Sequence, residues 1–446
     1  MKKETQEITR PNGKAAASGL TRRGFVTSTA IAGAAMGTGV GLFGGQAPAF
    51  AQSRSIHMLA WSHFIPNADK LMTDKIAKDF EAATKVKVKY ETIGGNSLPA
   101  RATSAVESGK GPDILQLQWN QAHLFANGLV RHNALAAELK VDRHYSFMQE
   151  AAKVGDHFRG IPYYGIGNAI AYRKDIFKNL GITSLPDTWD EYLKVGKKLK
   201  DGDYPIGQTL GHTFGDAPTF AYPLLWSFGG AEVDRRGKVA INSKGTRAAC
   251  EFLKEFWDTA CDPGGLAWDD GSNNRAFYGE TIGATLNGAS IYFNARYNNQ
   301  GPPGLADKIG HFLNPKGPAG RYHSILPFVN CITRLSKQKD AARDFIRFLM
   351  NQKNLESYIT VQKGYGLGPS KAWEDHPFWK EDPAVEVFRA EAKYGRNFGY
   401  PGPFGRRASE VQTKYIIIDL FARVAKGDSI NDSIKQTERE LKNIYG

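Results

Sequence analysis

The chain has 446 residues, with 58 Lys and Arg against 45 Asp and Glu, a formal net charge of +13, and 41% hydrophobic residues. This length predicts at least two domains with a core each, and this composition excludes a disordered or fibrous protein. The basic residues are spread out, with no run of five, so we expect no nucleic-acid binding. The three cysteines form no Cys-x-x-Cys motif for zinc, an iron–sulfur cluster or haem. We expect free thiols. A Cys250–Cys261 disulfide is the alternative, and it requires that Cys261 lie beyond a helix end.

The N-terminal segment has the pattern of an export signal. A polar, basic stretch ends in Arg22 and Arg23, a weakly apolar stretch rich in Ala, Gly and Thr follows, and Ala49-Phe50-Ala51 supplies a small-residue cleavage site. Residues 1–51 are therefore predicted to be a cleaved twin-arginine signal, with the twin-arginine export machinery as a partner and the periplasm as the destination. The alternative, a membrane anchor, needs about 20 strongly apolar residues, and the stretch 30–45 is shorter and rich in glycine.

The mature chain begins with alternating strand and helix patterns. Apolar runs and helical spacing predict, in chain order, strand Ile56–Trp61, a helix from Ala68, strand Val86–Tyr90, helix Pro99–Ser108 and strand Asp113–Leu117. This order predicts an α/β fold in which helices cover a parallel or mixed sheet. The ligand cleft of such a fold lies at the carboxyl ends of the strands.

A second α/β region follows without an internal repeat. We predict strand Asn168–Tyr172, a helix that starts at the capping box of Thr188 and Glu191, helix Thr246–Thr259, strand Thr281–Asn287, an amphipathic helix over 342–349 with Ser336 as its cap, and two terminal helices. The segment Lys308–Phe312 runs into a stretch rich in Pro and Gly. These elements are enough for a second sheet with its own helices.

Several motifs in this order resemble those of the family 1 extracellular solute-binding proteins, the maltose-binding-like receptors of ABC importers. The clearest are GIPYY at 160–164, AYRKDIF at 171–177 and PDTWDE at 186–191, and LGP at 367–369 is a later match. The resemblance covers essentially residues 55–446. Arg173 stands where the family usually has Asn, a departure that we expect to affect the hinge more than the ligand.

The resemblance implies a two-lobe periplasmic-binding-protein fold of type II, in which each lobe is a mixed sheet flanked by helices. The first lobe would be 55–168 plus 314–365 and the second 172–309 plus 371–446, joined by hinge crossovers. It also implies a monomeric periplasmic receptor without a cofactor or enzymatic activity. Such a receptor captures a carbohydrate, either a sugar or a small oligosaccharide, and delivers it to an inner-membrane ABC permease.

Sugar sites combine aromatic rings for C–H faces with polar groups for hydroxyls. Trp61 and Trp119 are the first candidates for rings because both follow predicted strands. The full set of expected ligand-binding residues is Trp61, His63, Gln118, Trp119, Asn120, Tyr164, Asp216, Asn287, Tyr292, Tyr365 and Arg396. Trp226, in an apolar helix, is expected in the core.

Two alternative interpretations remain open. Arg396, Arg406 and Arg407 keep an anionic ligand such as a polyol phosphate possible in the same receptor class, and a ferric ion is a further alternative ligand of that class. A twin-arginine-exported enzyme is less favoured, because no metalloprotease, nucleophile-elbow or phosphate-loop motif is present. The neighbouring Asp269 and Asp270 do not by themselves predict a glycosidase pair.

Overall fold

The computed structural model describes residues 54–446, and the export signal predicted for 1–51 lies outside them. The strands in chain order are β1 (Ser55–Trp61), β2 (Lys87–Ile93), β3 (Ile114–Gln118), β4 (Lys153–Val154), β5 (His157–Phe158), β6 (Ile161–Ile166), β7 (Ala169–Arg173), β8 (Ala284–Asn287), β9 (Ile309–Phe312), β10 (His323–Ser324), β11 (Leu326–Ile332), β12 (Gly366–Leu367) and β13 (Gly395–Arg396).

The α-helices lie between these strands and at the C-terminal end. They are α1 (Pro66–Leu71), α2 (Ala77–Thr84), α3 (Leu98–Ser108), α4 (Gln121–Leu124), α5 (Asn133–Glu138), α6 (Ser146–Ala152), α7 (Lys174–Asn179), α8 (Trp189–Asp201), α9 (Asp216–Ser227), α10 (Lys244–Ala260), α11 (Ser272–Tyr278), α12 (Ser290–Tyr297), α13 (Leu305–Lys308), α14 (Lys339–Leu349), α15 (Gln352–Thr360), α16 (Glu386–Arg389), α17 (Arg406–Thr413), α18 (Ile416–Ala425) and α19 (Ile430–Tyr445). A π-helical turn, Met72–Ile76, joins α1 to α2.

The first sheet has six strands in the order β12-β6-β11-β3-β1-β2. Strand β1 pairs in parallel with β2 and β3, whereas β11 runs antiparallel to β3 and β6. Every residue of β3, β6 and β11 is buried, as expected for strands covered by helices on both faces. The predicted α/β class with a mixed sheet is confirmed.

The second sheet has three strands in the order β8-β7-β9, and both pairings are antiparallel. Only Gly167 and Asn168 separate β6 of the first sheet from β7 of the second. The two sheets are therefore joined directly at one side of a cleft.

The chain passes from the second sheet back to the first at a later point than residue 314, the boundary predicted from the sequence. The N–H of Lys316 donates to the carbonyl of Asp187 at 2.8 Å, and the N–H of Ala319 donates to the carbonyl of Ser227 at 2.8 Å. Both acceptors belong to elements around the second sheet. The chain therefore crosses between Tyr322 and Leu326, just before β11.

Local sequence signals explain several helix ends. Thr188 and Glu191 form the predicted capping box at the start of α8. The predicted cap Ser336 is wrong, because α14 starts at Lys339 with Gln338 at its N-cap position and no side-chain cap. The hydroxyl of Ser336 instead donates to Asp113 at 2.6 Å, which ties the loop after β11 to the start of β3.

Cys250, Cys261 and Cys331 are free and buried, which confirms the expectation of packed thiols and excludes the Cys250–Cys261 bridge. Burial raises the pKa of Cys250 to about 12. These thiols therefore contribute to the core as apolar groups.

Replacement of Thr188 by Ala tests the local origin of α8. The change removes the acceptor of the Glu191 N–H, and we expect the free energy of unfolding to fall by about 1 kcal/mol. Urea denaturation measures this loss, with Thr183→Ala in the neighbouring exposed loop as the control. An equal effect of both changes would contradict the capping role.

Candidate ligand-binding cleft

A cavity of about 20 Å³ lies between the two sheets, which is room for about one water molecule. The first sheet and its loops contribute the apolar residues Trp61, Phe64, Ile166, Leu326 and Tyr365. The elements of the second sheet contribute Phe214, Gly215, Asp216, Thr219, Asp270, Asn287 and Gly288, and Asn168 lies at the crossing. A sugar is larger than this space, so the two sides must separate to admit one.

The first-sheet wall is a fixed aromatic surface. Trp61 is the last residue of β1, and its ring stacks on Phe328 with centroids 5.4 Å apart. Phe64 packs edge-on against the same indole at 5.4 Å. Because these neighbours hold the indole, its orientation is set before any ligand arrives.

The second-sheet wall is a chain of hydrogen-bonded polar side chains. Asn273 donates its side-chain N–H to Asp216 at 2.7 Å. Asn287 donates to the side-chain oxygen of Asn274, and Ser290 donates its hydroxyl to Asn287 at 3.0 Å. The network fixes the carboxylate and amide groups that face the cavity, as a site for hydroxyl groups requires.

Asp270 holds the loop that leads into α9. Its carboxylate accepts the backbone N–H groups of Phe214 and Gly215, each at 3.2 Å, and of Asp216 at 2.7 Å. These donors belong to the N-terminal end of α9, where a negative charge is favourable. Asp270 is therefore a positioning residue for the loop.

Burial raises the pKa of Asp216 well above its usual value, and the nearby carboxylate of Asp270 raises it further. Among the cavity-lining residues these two carry the only carboxyl groups, and none of the lining residues is a lysine, arginine or histidine. The interior of the cleft thus offers no cationic partner to a ligand.

The structure brings four of the predicted residues together around the cavity. Trp61, Asp216, Asn287 and Tyr365 all line it, and they come from four separate parts of the chain. Their role as ligand contacts stays a prediction, but their grouping is the arrangement that such contacts need.

Other predicted residues lie behind the wall of the cavity. His63 accepts the N–H of Ile65 through Nδ1 and bonds Gln362 through Nε2 at 3.0 Å, and burial lowers its pKa to about 3. The ring of Tyr164 stacks on Phe328 at 4.4 Å. Both side chains are buried within the first-sheet side.

The loop after β3 faces the neighbouring loops of the second side. Trp119 has a positive φ of 51°, donates its indole N–H to the carbonyl of Phe214 at 3.0 Å and packs on Phe398. Asn120 donates to the carbonyl of Phe398 at 3.1 Å. Gln118 is buried, and its side-chain amide has no hydrogen-bond partner among the described residues. Neither Gln118, at the end of β3, nor the two predicted residues of the loop lines the cavity.

Tyr292 and Arg396 are also outside the cavity lining. The hydroxyl of Tyr292 donates to Asp382 at 2.6 Å. The guanidinium of Arg396 lies 5.3 Å from the ring centre of Tyr400 and 5.8 Å from that of Tyr322. Their side chains are thus engaged within the fold.

Sequence reasoning missed Phe214, Asn168 and the positioning role of Asp270. Phe214 comes two residues before the predicted Asp216, so the loop was found but the aromatic residue in it was not. Asn168 lies at a predicted crossover, where its backbone position gave no sign of a cavity-facing side chain.

The comparison with known families identifies this architecture. The model of the family described as "Bacterial extracellular solute-binding protein" matches residues 67–356. The chain therefore belongs to the bacterial extracellular solute-binding proteins, and the predicted resemblance is confirmed.

Relatives and solved structures agree with this assignment. The diacetylchitobiose binding protein of Streptomyces coelicolor is 27% identical over 299 residues, which span 62% of this chain and 65% of that protein. The maltose-bound MalE3 of T. maritima has a TM-score of 0.75 at 21% identity, covering 87% of this chain and 99% of that one. A tagatose-bound ABC transporter solute-binding protein of Thermotoga lettingae has a TM-score of 0.76 at 17% identity, covering 88% and 100%. These similarities establish the two-lobe fold of type II binding proteins.

Two features are absent from residues 54–446. Within this range no three His, Cys, Asp or Glu side chains are grouped as a metal site would need. No helix there has both the length and the apolar character required to cross a bilayer.

Replacement of Asp216 by Asn tests its electrostatic environment. Because its pKa is raised, Asp216 keeps its proton in the folded state at pH values where the unfolded chain has already released it. The contribution of Asp216 to the free energy of unfolding is therefore complete at low pH and is lost as the pH rises. We expect the stability of Asp216→Asn relative to the unmodified protein to increase between about pH 4 and pH 8. Urea denaturation across this range measures the difference, with the exposed Asp74→Asn as the control. A constant or falling difference would contradict this environment.

Proposed function

We propose that this protein is the periplasmic substrate-binding component of an ABC importer, which captures a sugar or short oligosaccharide and delivers it to an inner-membrane permease. The observation that carries this proposal is the cavity between the sheets. Its aromatic wall around Trp61 suits the C–H face of a sugar ring, and its polar wall around Asp216 and Asn287 suits hydroxyl groups. Family membership supports the receptor role.

The ligands named for similar proteins support a carbohydrate. Diacetylchitobiose, maltose and tagatose are all cyclic sugars or built from them. A pocket for such ligands needs few charges and several planar rings, which is the composition of the cavity lining.

We propose that the two sheets are the cores of two lobes. Their bounds are those expected from the sequence, 55–168 plus 314–365 and 172–309 plus 371–446, except that residues 314–325 are moved from the first lobe to the second. A ligand that contacts both walls binds the closed arrangement better than an open one. It therefore shifts the population toward closure, and the permease then recognises the closed pair of lobes. A monomer without a cofactor is sufficient for this cycle.

The charges of the cleft support a neutral rather than an anionic ligand. Asp216 and Asp270 line the cavity, whereas Arg396 lies outside the lining and stacks on Tyr400. A sugar phosphate would have to approach two carboxyl groups without a cationic partner among the lining residues. The same carboxyl groups do not favour an enzyme, because Asp270 is already engaged by three backbone N–H groups.

A melting screen with candidate ligands tests the function. The mature chain, residues 52–446, is heated with neutral sugars, oligosaccharides, polyols, sugar phosphates and ferric citrate. A sugar at 100 times its Kd adds about 2.7 kcal/mol to the stability of the folded state, which raises the Tm by a few degrees. A shift only with phosphates or iron would retain the fold and overturn the proposed ligand class.

Trp61→Leu ties a positive result to the cavity. We expect this change to remove the Tm shift caused by the sugar, because the flat ring that faces the cavity is lost. Trp226→Leu is the matched control, since Trp226 is equally buried but does not line the cavity. A shift that persists in Trp61→Leu would place the site elsewhere.

Export is tested by replacing both Arg22 and Arg23 with Lys. A twin-arginine signal needs the arginine pair, so we expect the precursor to remain in the cytoplasm. Cell fractionation measures the result, and replacement of Lys2 and Lys3 by Arg serves as the control. Undiminished periplasmic accumulation would show that another route is used.

A further inference from the structure

Phe214 is the residue through which the second-sheet side closes on the first. It lies in the loop before α9, and this loop is fixed by the three hydrogen bonds to Asp270. Its ring nevertheless packs on residues of the first-sheet side. The centroid of the ring lies 5.6 Å from that of Trp61, in an edge-on arrangement at 61°.

The ring of Phe214 is seated on Gly95. A Cβ atom added at Gly95 would overlap the phenyl ring, so the contact requires glycine at this position. Gly95 follows β2 and is buried, whereas its neighbour Gly94 is exposed and has no atom within 4 Å of an added Cβ. Neither residue has a positive φ, so the space around the added methyl group is the main difference between them.

A third contact reinforces this closure. The indole N–H of Trp119 donates to the carbonyl of Phe214 at 3.0 Å. Three first-sheet residues, Gly95, Trp61 and Trp119, thus hold one residue from the opposite side. All of these contacts must loosen when the two sides separate.

This closure leaves little room for a ligand. Phe214 and Trp61 both line the cavity, which measures about 20 Å³. The phenyl ring therefore takes up the space beside the indole that a sugar ring would need for stacking. Closure through Phe214 and occupation by a sugar are competing arrangements.

We propose that Phe214 is an affinity-determining residue that acts as a built-in occupant of the cleft: its ring closes the two sides on Gly95 and Trp61, and a ligand binds by displacing it. The apparent Kd then equals the intrinsic Kd divided by the fraction of molecules that are not closed in this way. Removal of the ring increases the open population and strengthens ligand binding.

The first test measures closure without any ligand. Spin labels at exposed Glu107 on α3 and Lys254 on α10 report the distance between the two sides by electron–electron double resonance. We expect Phe214→Ala and Gly95→Ala each to increase the population with longer distances, while the control Gly94→Ala leaves the distribution unchanged. The double variant Gly95→Ala/Phe214→Ala is expected to be no more open than Phe214→Ala alone, because the clash is gone.

The second test measures affinity and rests on the proposed function. Calorimetry with maltose, D-tagatose and diacetylchitobiose gives the Kd of each variant for any of these sugars that bind. Edge-on aromatic pairs of this kind correspond to about a two- to tenfold change in an equilibrium constant. We therefore expect Phe214→Ala to bind about two- to tenfold tighter, Gly95→Ala to bind more tightly than Gly94→Ala, and Gly94→Ala to match the unmodified protein.

Changes in ligand affinity or in the distance distribution opposite to those expected would overturn the proposal. Weaker binding and faster dissociation in Phe214→Ala would show that Phe214 closes over the bound sugar instead of competing with it. Distance distributions that do not distinguish Gly95→Ala from Gly94→Ala would show that the contact does not control closure. If none of the three sugars binds, the carbohydrate proposal fails for those sugars while the distance measurement still decides the role of Phe214. Melting curves identify a variant that fails to fold, and Phe214→Ala, which removes atoms rather than adding them, then decides the result.

Discussion

The geometry of the cleft depends on one buried hydrogen bond at the junction of the two sheets. The backbone N–H of Asn168 donates to the carboxylate of Glu391 at 2.7 Å, and the imidazole of His323 donates to the carbonyl of Asn168 at 3.2 Å. A Cβ at Gly167 would overlap the Glu391 carboxylate, so glycine is required next to it. These contacts gather three distant chain segments around the two-residue link between β6 and β7. The path of the chain between the two sheets, from which both cavity walls extend, is held there.

The two walls differ because the sheets offer different kinds of positions. The first sheet presents an aromatic residue at the end of β1, supported from behind by Phe328 on β11. The second presents Asn287 at the end of β8, next to the asparagines of α11, and so builds a polar network. Each wall is organised by contacts within its own side. A sugar needs both kinds of surface at once, and the cleft between the two sides provides them.

Local patterns were sufficient for most of the elements but not for the site. Strand alternation, helical spacing and the capping box at Thr188 located β1 to β3, α8 and α10 to within a few residues. Trp61 was found because the end of a parallel strand faces the cleft. Trp119 follows the same rule, but its positive φ directs the chain into a turn, and its indole reaches the Phe214 carbonyl instead. Phe214 and Gly95 are more than a hundred residues apart, and nothing in the spacing of either one indicates the other.

The order of strands in the first sheet has a consequence for how the protein acquires its structure. Strand β11 lies between β3 and β6, although both of those strands precede it by a long stretch of chain that includes the whole second sheet. The parallel group β1, β2 and β3 therefore has an open edge until residues 326–332 are available. Pairings of such large sequence separation carry a high cost in loop-closure entropy and fold slowly. The first sheet is thus completed only after β12, at Gly366–Leu367, has been synthesised, and a nascent chain that ends before β11 has an unpaired edge on β3.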